Sequence, residues 1–227
     1  MNIFSHYIWE SEGEKANPSS VVLQQIKVRK KSCILVFICD GKKEGDMGIY
    51  KAGRFAESLV EWFHHRCIPV FVEVHGRYAS DSKAETVWNK LQRELEKELL
   101  QNLTCYEFSG MLLWEEHFFY FAKGETKGYL FNKRFNKKQC RDLKEVLFGR
   151  DAGETLLMIS GELQKGVSLL ISTAGYCEYI SDEEMVEVLF SEKENELRIC
   201  KKLKELWKED MARGGEWYVG AVFIRTE

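Results

Sequence analysis

Apolar positions along this chain follow two rhythms, one of period two or denser and one of period four, and these outline its elements. The run Cys33-Ile34-Leu35-Val36-Phe37-Ile38-Cys39 has no polar residue and is rich in β-branched side chains. It predicts a strand covered on both faces. The loop Asp40-Gly41-Lys42-Lys43-Glu44-Gly45-Asp46 follows, and then Ala52 to His65 reads as a helix with Phe55, Leu59, Trp62 and Phe63 on one face. Pro69 is expected to close that region before a short strand, Val70-Phe71-Val72. Ser80 or Asp81 caps a long helix reaching about Leu103, with Val87, Leu91, Leu95 and Leu99 at four-residue spacing. Leu103 to Phe131 has strand character with a turn at Glu115-Glu116-His117, and residues 137–148 read as a short helix with Leu143, Val146 and Leu147 inward. Strands are expected at 155–160 and 167–172. Ser181-Asp182-Glu183-Glu184 is a capping box that starts a helix through Phe190. Ser191-Glu192-Lys193-Glu194 repeats it and starts a longer helix to about Met211, stopped by Gly214-Gly215. Tyr218 to Ile224 reads as a terminal strand. Strand pairs followed by helix pairs suggest sheets packed face to face with helices outside.

Composition narrows the classes. The 227 residues are 44% hydrophobic, contain only two prolines and show no linker or repeat, so residues 1–227 are expected to form one domain. The 33 basic and 36 acidic side chains leave a net charge of -3, which argues against an extended nucleic-acid surface. No apolar run approaches a membrane span and the N-terminus does not read as a signal peptide, so no membrane partner and a cytoplasmic location are expected. The seven cysteines are odd in number and widely spaced, which favours reduced core thiols over a zinc site. His64-His65 reads as a cation complementing a helix end, and His75-Gly76-Arg77 as a loop. The aromatics at 118–121 read as core. Lys133, Arg134, Lys137 and Lys138 form a solvated face able to receive an acidic or phosphorylated partner. No Gly-x-Ser-x-Gly elbow, P-loop or His-Glu-x-x-His motif is present.

Three segments carry a resemblance. Leu163-Gln164-Lys165-Gly166-Val167-Ser168-Leu169-Leu170-Ile171-Ser172-Thr173-Ala174-Gly175-Tyr176, with Ile180-Ser181-Asp182-Glu183-Glu184 after it, is similar to a stretch of the type 2C, or PPM, protein phosphatases. That stretch reads L-x-x-G-D-x-L-L-L-C-S-D-G-L, then L-S-D-E-E. Val36-Phe37-Ile38-Cys39-Asp40-Gly41 and the helix behind it resemble the family's V-x-D-G-M-G-G-H segment, and Val222-Phe223-Ile224-Arg225 resembles its final strand. The order of the segments spans nearly the whole chain. The resemblance implies an α/β (α+β) fold: a four-layer α-β-β-α sandwich of two antiparallel sheets flanked by helix pairs. It also implies a chemistry of two divalent cations, Mg or Mn, bridged by aspartates and activating a water for attack on phosphorus.

Carried over one by one, most of those acids are missing. The Asp-Gly motif matches at Asp40 and Gly41, so one carboxylate and one backbone carbonyl remain as a vestigial metal site. The family's R-x-x-N-E-D falls near Lys15-Ala16-Asn17-Pro18-Ser19-Ser20, where proline and serine replace the acids. The S-D-G aspartate falls on Ala174. The final D-N pair falls near Trp217-Tyr218, with Glu216 in reach, and G-D-S-R matches Gly124-Glu125-Thr126-Lys127. Lys42-Lys43-Glu44 replaces G-G-H. Glu44, Asp46, Glu125 and Glu216 are the candidate replacement ligands. The resulting expectation is a pseudophosphatase with no catalytic residues and no cofactor, which binds a protein, such as a phosphoprotein or kinase, in phospho-signalling. The alternatives are a divergent active Mg/Mn-dependent phosphatase, or a scaffold that uses the 81–103 helix as a partner surface.

Overall fold

In the computed structural model the apolar run becomes the middle of a ten-residue strand, and its two faces serve different cores. The structure describes residues 3–75, 81–101, 107–132, 139–142, 156–176, 178–189 and 196–226. In chain order the strands are β1 (Ile3–Ser11), β2 (Ser19–Val28), β3 (Lys31–Asp40), β4 (Glu107–Trp114), β5 (His117–Lys123), β6 (Lys127–Asn132), β7 (Gln139–Asp142), β8 (Leu157–Glu162), β9 (Val167–Ser172) and β10 (Tyr218–Thr226). The helices are α1 (Gly48–Trp62), α2 (Ile68–Val74), α3 (Asp81–Gln101), α4 (Asp182–Leu189) and α5 (Glu196–Ala212). One antiparallel sheet has the order β2-β3-β4-β5-β8 and the other β1-β10-β9-β6-β7.

Side chains of a strand alternate between faces. On β3, Cys33, Leu35, Phe37 and Cys39 pack against Phe55, Leu59 and Phe63, Phe71, and Leu91, Leu95 and Leu99 of the α1–α3 layer. Ile34, Val36 and Ile38 point the other way and meet Leu169, Ile171, Val222 and Ile224 of the facing sheet. A third core lies outside that sheet, where Leu170, Val219 and Phe223 meet Met185, Leu189, Ile199, Leu203 and Trp207 of α4 and α5. The four layers are therefore α-β-β-α. Among the described residues no helix is long and apolar enough to cross a membrane.

The capping box holds as expected: the Glu184 amide donates to Ser181 Oγ at 3.2 Å and the Ser181 amide to Glu184 Oε2 at 2.8 Å. The expected strand at 70–72 is instead helical, within α2. A π turn, Phe63–Cys67, joins α1 to α2. Proline inside a helix lacks a donor and crowds the preceding turn, and Pro69 sits at the start of α2 directly behind this widened turn. The apolar stripe continues through the junction at Phe55, Leu59, Phe63, Cys67 and Phe71. His64 and His65 accordingly lie exposed in mid-helix rather than at a helix end.

The expected helix at 137–148 is a strand over 139–142, where β7 pairs with β6 at the sheet edge; residues 143–150 lie outside the described set. The expected strand at 155–160 runs two residues later. The lysine cluster at 133–138 and the second capping box at 191–194 also lie outside the described residues. Cys33, Cys39, Cys67 and Cys200 are buried free thiols, and burial pushes the thiols of Cys33 and Cys39 up. They are inert core residues, as expected for unpaired cysteine.

Phe37 is fully buried and meets Phe55 edge-on at 5.0 Å between centroids. Phe37→Ala should lower stability by about 3–5 kcal/mol, read as a lower urea midpoint at unchanged slope.

Candidate functional site at the sandwich edge

Both sheets end at one edge, where the last residue of β3 and the first residue of β10 come together. Asp40 closes β3 and is 4% exposed; Tyr218 opens β10 and is 1% exposed. The Tyr218 hydroxyl lies 3.0 Å from Asp40 Oδ1 and 2.8 Å from Oδ2, and donates its proton to that pair. The Lys42 amide donates to Oδ1 at 3.0 Å. Burial pushes the Asp40 carboxyl up; the Lys42 amide and the Tyr218 hydroxyl pull it back down, and Glu107, its register partner on β4, raises it again. Burial, followed by the Asp40 charge, pushes the Tyr218 phenol far up, so it remains a proton donor at every working pH.

A cleft of about 530 Å³ opens over this pair. Asp40, Glu107, Glu125, Glu178 and Glu216 bring five carboxyls to its wall, and Lys42 and Lys127 bring two ammonium groups. Lys42 Nζ is ion-paired with Glu216. Glu216 lies over Gly175, where a β-carbon would collide with its side chain. Ala174, also on the cleft wall, offers only a methyl group.

The neighbouring motif residues have structural roles. Asn17 is buried; its Nδ2 donates to the carbonyls of Glu10 (2.8 Å) and Val219 (2.9 Å), and its Oδ1 accepts from the Ser19 amide (2.9 Å) and hydroxyl (2.6 Å). It ties the β1–β2 connection to β10. The Gly41 amide donates to the Pro18 carbonyl at 3.2 Å. Gly41 and Gly48 touch backbone to backbone, pinching the intervening 3-10 turn, Lys42–Met47, at its base; a β-carbon on either would strike the other. Of the candidate replacement ligands, Glu125 and Glu216 reach the cleft wall, while the side chains of Glu44 and Asp46 lie outside the described residues. Among the described residues no three His, Cys, Asp or Glu side chains converge as a metal-binding group. The motif comparison put the family's final D-N pair near Trp217-Tyr218 without foreseeing the bond from Tyr218 to Asp40. It missed Glu107, whose place follows only from strand register, and Glu178.

The fold is shared with solved structures. Stp1 from Staphylococcus aureus, a serine/threonine phosphatase, aligns over 100% of this chain and 96% of its own, with a TM-score of 0.65 and 13% identity. PppA, described as a key regulatory component of the T6SS in Pseudomonas aeruginosa, aligns over 100% and 99% at TM-score 0.62 and 14% identity. The catalytic domain of the serine/threonine phosphatase PstP, solved with two manganese ions, aligns over 98% and 97% at TM-score 0.60 and 15% identity.

This chain has the PPM-type phosphatase fold.

No family model matches the sequence, and no curated protein matches it. The likeness therefore lies in the backbone, and at this level of identity it fixes the PPM architecture without fixing the chemistry.

Tyr218→Phe leaves Asp40 with the Lys42 amide as its remaining hydrogen-bond donor of the two. It should destabilise the fold by about 1–3 kcal/mol, measured by denaturant titration. A carboxyl with a raised folded-state pKa takes up its proton more readily in the folded than in the unfolded chain. Stability from Asp40 is thus present below its ordinary value of 3.8 and is lost as pH rises through the raised value. Asp40→Asn should therefore be more stable than the native chain at neutral pH, with the gap closing in acid. Paired thermal melts across pH check this.

Proposed function

We propose that this chain is a PPM-type phosphatase-like protein without catalytic turnover, a pseudophosphatase that serves as a protein-binding or regulatory module in phospho-signalling. The observation that carries this reading is the capping of Asp40. Both oxygens of the one motif carboxylate that remains accept hydrogen bonds from groups of the chain itself.

The groups at the matched motif positions do not suit a pair of divalent cations. Such ions need several hard oxygen ligands with lone pairs to spare. Asp40 is engaged by a phenol that keeps its proton, and Ala174 contributes no oxygen. Lys42, whose amide binds Asp40, places its ammonium group on the cleft wall, where it pairs with Glu216. Asp40 and Gly41 are, in this reading, the vestige of a metal site, and no Mg or Mn is required. PppA, a regulatory component of its own system, is an example of this architecture in regulation.

Purified protein should not hydrolyse p-nitrophenyl phosphate above background with Mn²⁺, and calorimetry should detect no binding of Mn²⁺ or Mg²⁺ at millimolar metal. Turnover that disappears in Asp40→Ala would establish the alternative, a divergent active phosphatase. Replacing Ala174 and Tyr218 together with aspartate gives the cleft two new carboxylates and frees Asp40. That double variant should gain Mn²⁺ binding by calorimetry. If the native chain binds Mn²⁺ as well as the double variant does, the capping of Asp40 is not what excludes the metal.

A further inference from the structure

A groove of about 600 Å³ runs along the free edge of β2, between β1 and α1. β2 ends its sheet: β3 pairs with it on one side, and among the described residues no strand pairs with the other. In an antiparallel ladder the N–H and C=O of one residue point to the same side, and the side alternates along the strand. The Pro18 carbonyl accepts from the Gly41 amide, toward β3. The Ser19 amide and carbonyl point the other way, to Asn17 Oδ1 (2.9 Å) and the Trp9 indole (3.0 Å). By that alternation the amides and carbonyls of Val21 and Leu23 also point out of the sheet, and Val21 lines the groove. Among the described residues nothing bonds to them from that side.

This edge is unguarded and its walls are reachable. Edge strands are commonly blunted by a charge, a proline or a bulge. Ser19 to Gln25 contains neither charge nor proline, and the register with β3 runs unbroken from Ser19–Asp40 to Val28–Lys31. Tyr7 and Trp9 of β1 share the strand face of Ile3, which packs between the sheets, yet they are 54% and 51% exposed. On the other wall α1 presents Ala56, Val60 and Gly53. Glycine is unfavourable inside a helix, and close packing does not require it here: a β-carbon on Gly53 would meet nothing within 4 Å.

We propose that β2 is a docking edge for an extended segment of a partner protein, which adds as a sixth strand with a basic face toward α1 and an apolar face toward β1. Main-chain bonds to Val21 and Leu23 supply affinity, and pockets for alternate side chains supply specificity. The charge sets the chemistry of the first face. The charged residues on the groove wall, Glu57 and Glu61, are both acids. Arg54 reaches Glu57 at 3.4 Å, but the two side chains are 68% and 67% exposed, and such a pair is worth little. A lysine or arginine stem would cover Ala56 and Val60 while its head meets the carboxylates. Tyr7 and Trp9 offer ring surface to apolar side chains on the second face. A second copy of this chain, joined β2 to β2, would set the two α1 helices side by side with acids facing acids. The edge is present whether or not Asp40 holds a metal.

The test is calorimetry on the full chain with a blocked hexapeptide of three Val-Lys repeats and its counterpart of Val-Glu repeats. Saturable binding of the lysine peptide below about 1 mM is expected, with the glutamate peptide at least about tenfold weaker. A strand turns alternate amides to opposite edges, so N-methylating one alternate set should abolish binding and N-methylating the other should leave it unchanged. Glu57→Lys with Glu61→Lys alters exposed residues and should reverse the preference between the two peptides. Gly53→Leu favours the helix and fills the groove; it should weaken binding at an unchanged or higher thermal midpoint. Absence of saturation, equal effects of the two methylation patterns, a preference that survives the charge reversal, or full binding by Gly53→Leu would each overturn the assignment. So would a dimer in light scattering that Gly53→Leu disperses, because the occupant would then be a second copy.

Discussion

Everything in this molecule hangs on β3 being buried on both faces. A strand between a helical layer and a second sheet has no side open to water, so each of its side chains must remove apolar surface from solvent. Cys33 through Cys39 meet that demand, with Leu35 and Phe37 toward the helices and Ile34, Val36 and Ile38 toward the other sheet. The same constraint makes the end of the strand special. Asp40 is the first charged residue after the apolar run, and it is delivered to the sandwich edge while still almost wholly enclosed.

A carboxylate in that position has to be compensated. Water cannot reach it freely, and an ionised group in a poorly polarisable setting is costly without partners. The PstP domain, with the same architecture, carries two manganese ions in its crystal. In this chain the groups that lower the Asp40 pKa are the Lys42 amide, the Tyr218 phenol and the Lys42 charge. Tyrosine suits this role because burial holds it protonated, so it donates rather than competes for the proton. The wider cleft follows the same logic, with the Lys42–Glu216 pair offsetting charge among its carboxyls.

What was legible in the sequence was local or periodic. The doubly buried strand, the capping box at Ser181 and the four-residue apolar stripe of α3 each depend on neighbours in the chain, and each formed as read. The misreadings came where local preference and long-range packing disagree. Val70 and Val72 favour a strand and Pro69 favours a break, but the stripe from Phe55 to Phe71 commits the segment to a helix, and the π turn absorbs the proline. β7 is short and charged; only pairing with β6 makes it a strand. The motif comparison singled out Asp40 and Ala174, and both line the cleft at the sandwich edge. The hydrogen bond that engages Asp40 joins residues 40 and 218, which lie 178 positions apart, and no pattern within a window could have revealed it.

The two ends of the β2-β3-β4-β5-β8 sheet embody opposite solutions to the same difficulty. At Asp40 a buried carboxyl takes its hydrogen bonds from groups within the chain, the Lys42 amide and the Tyr218 hydroxyl. At His75 a buried polar group keeps an atom with no partner among the described residues. Internal satisfaction stabilises a structure, whereas an unmet hydrogen bond lowers its stability.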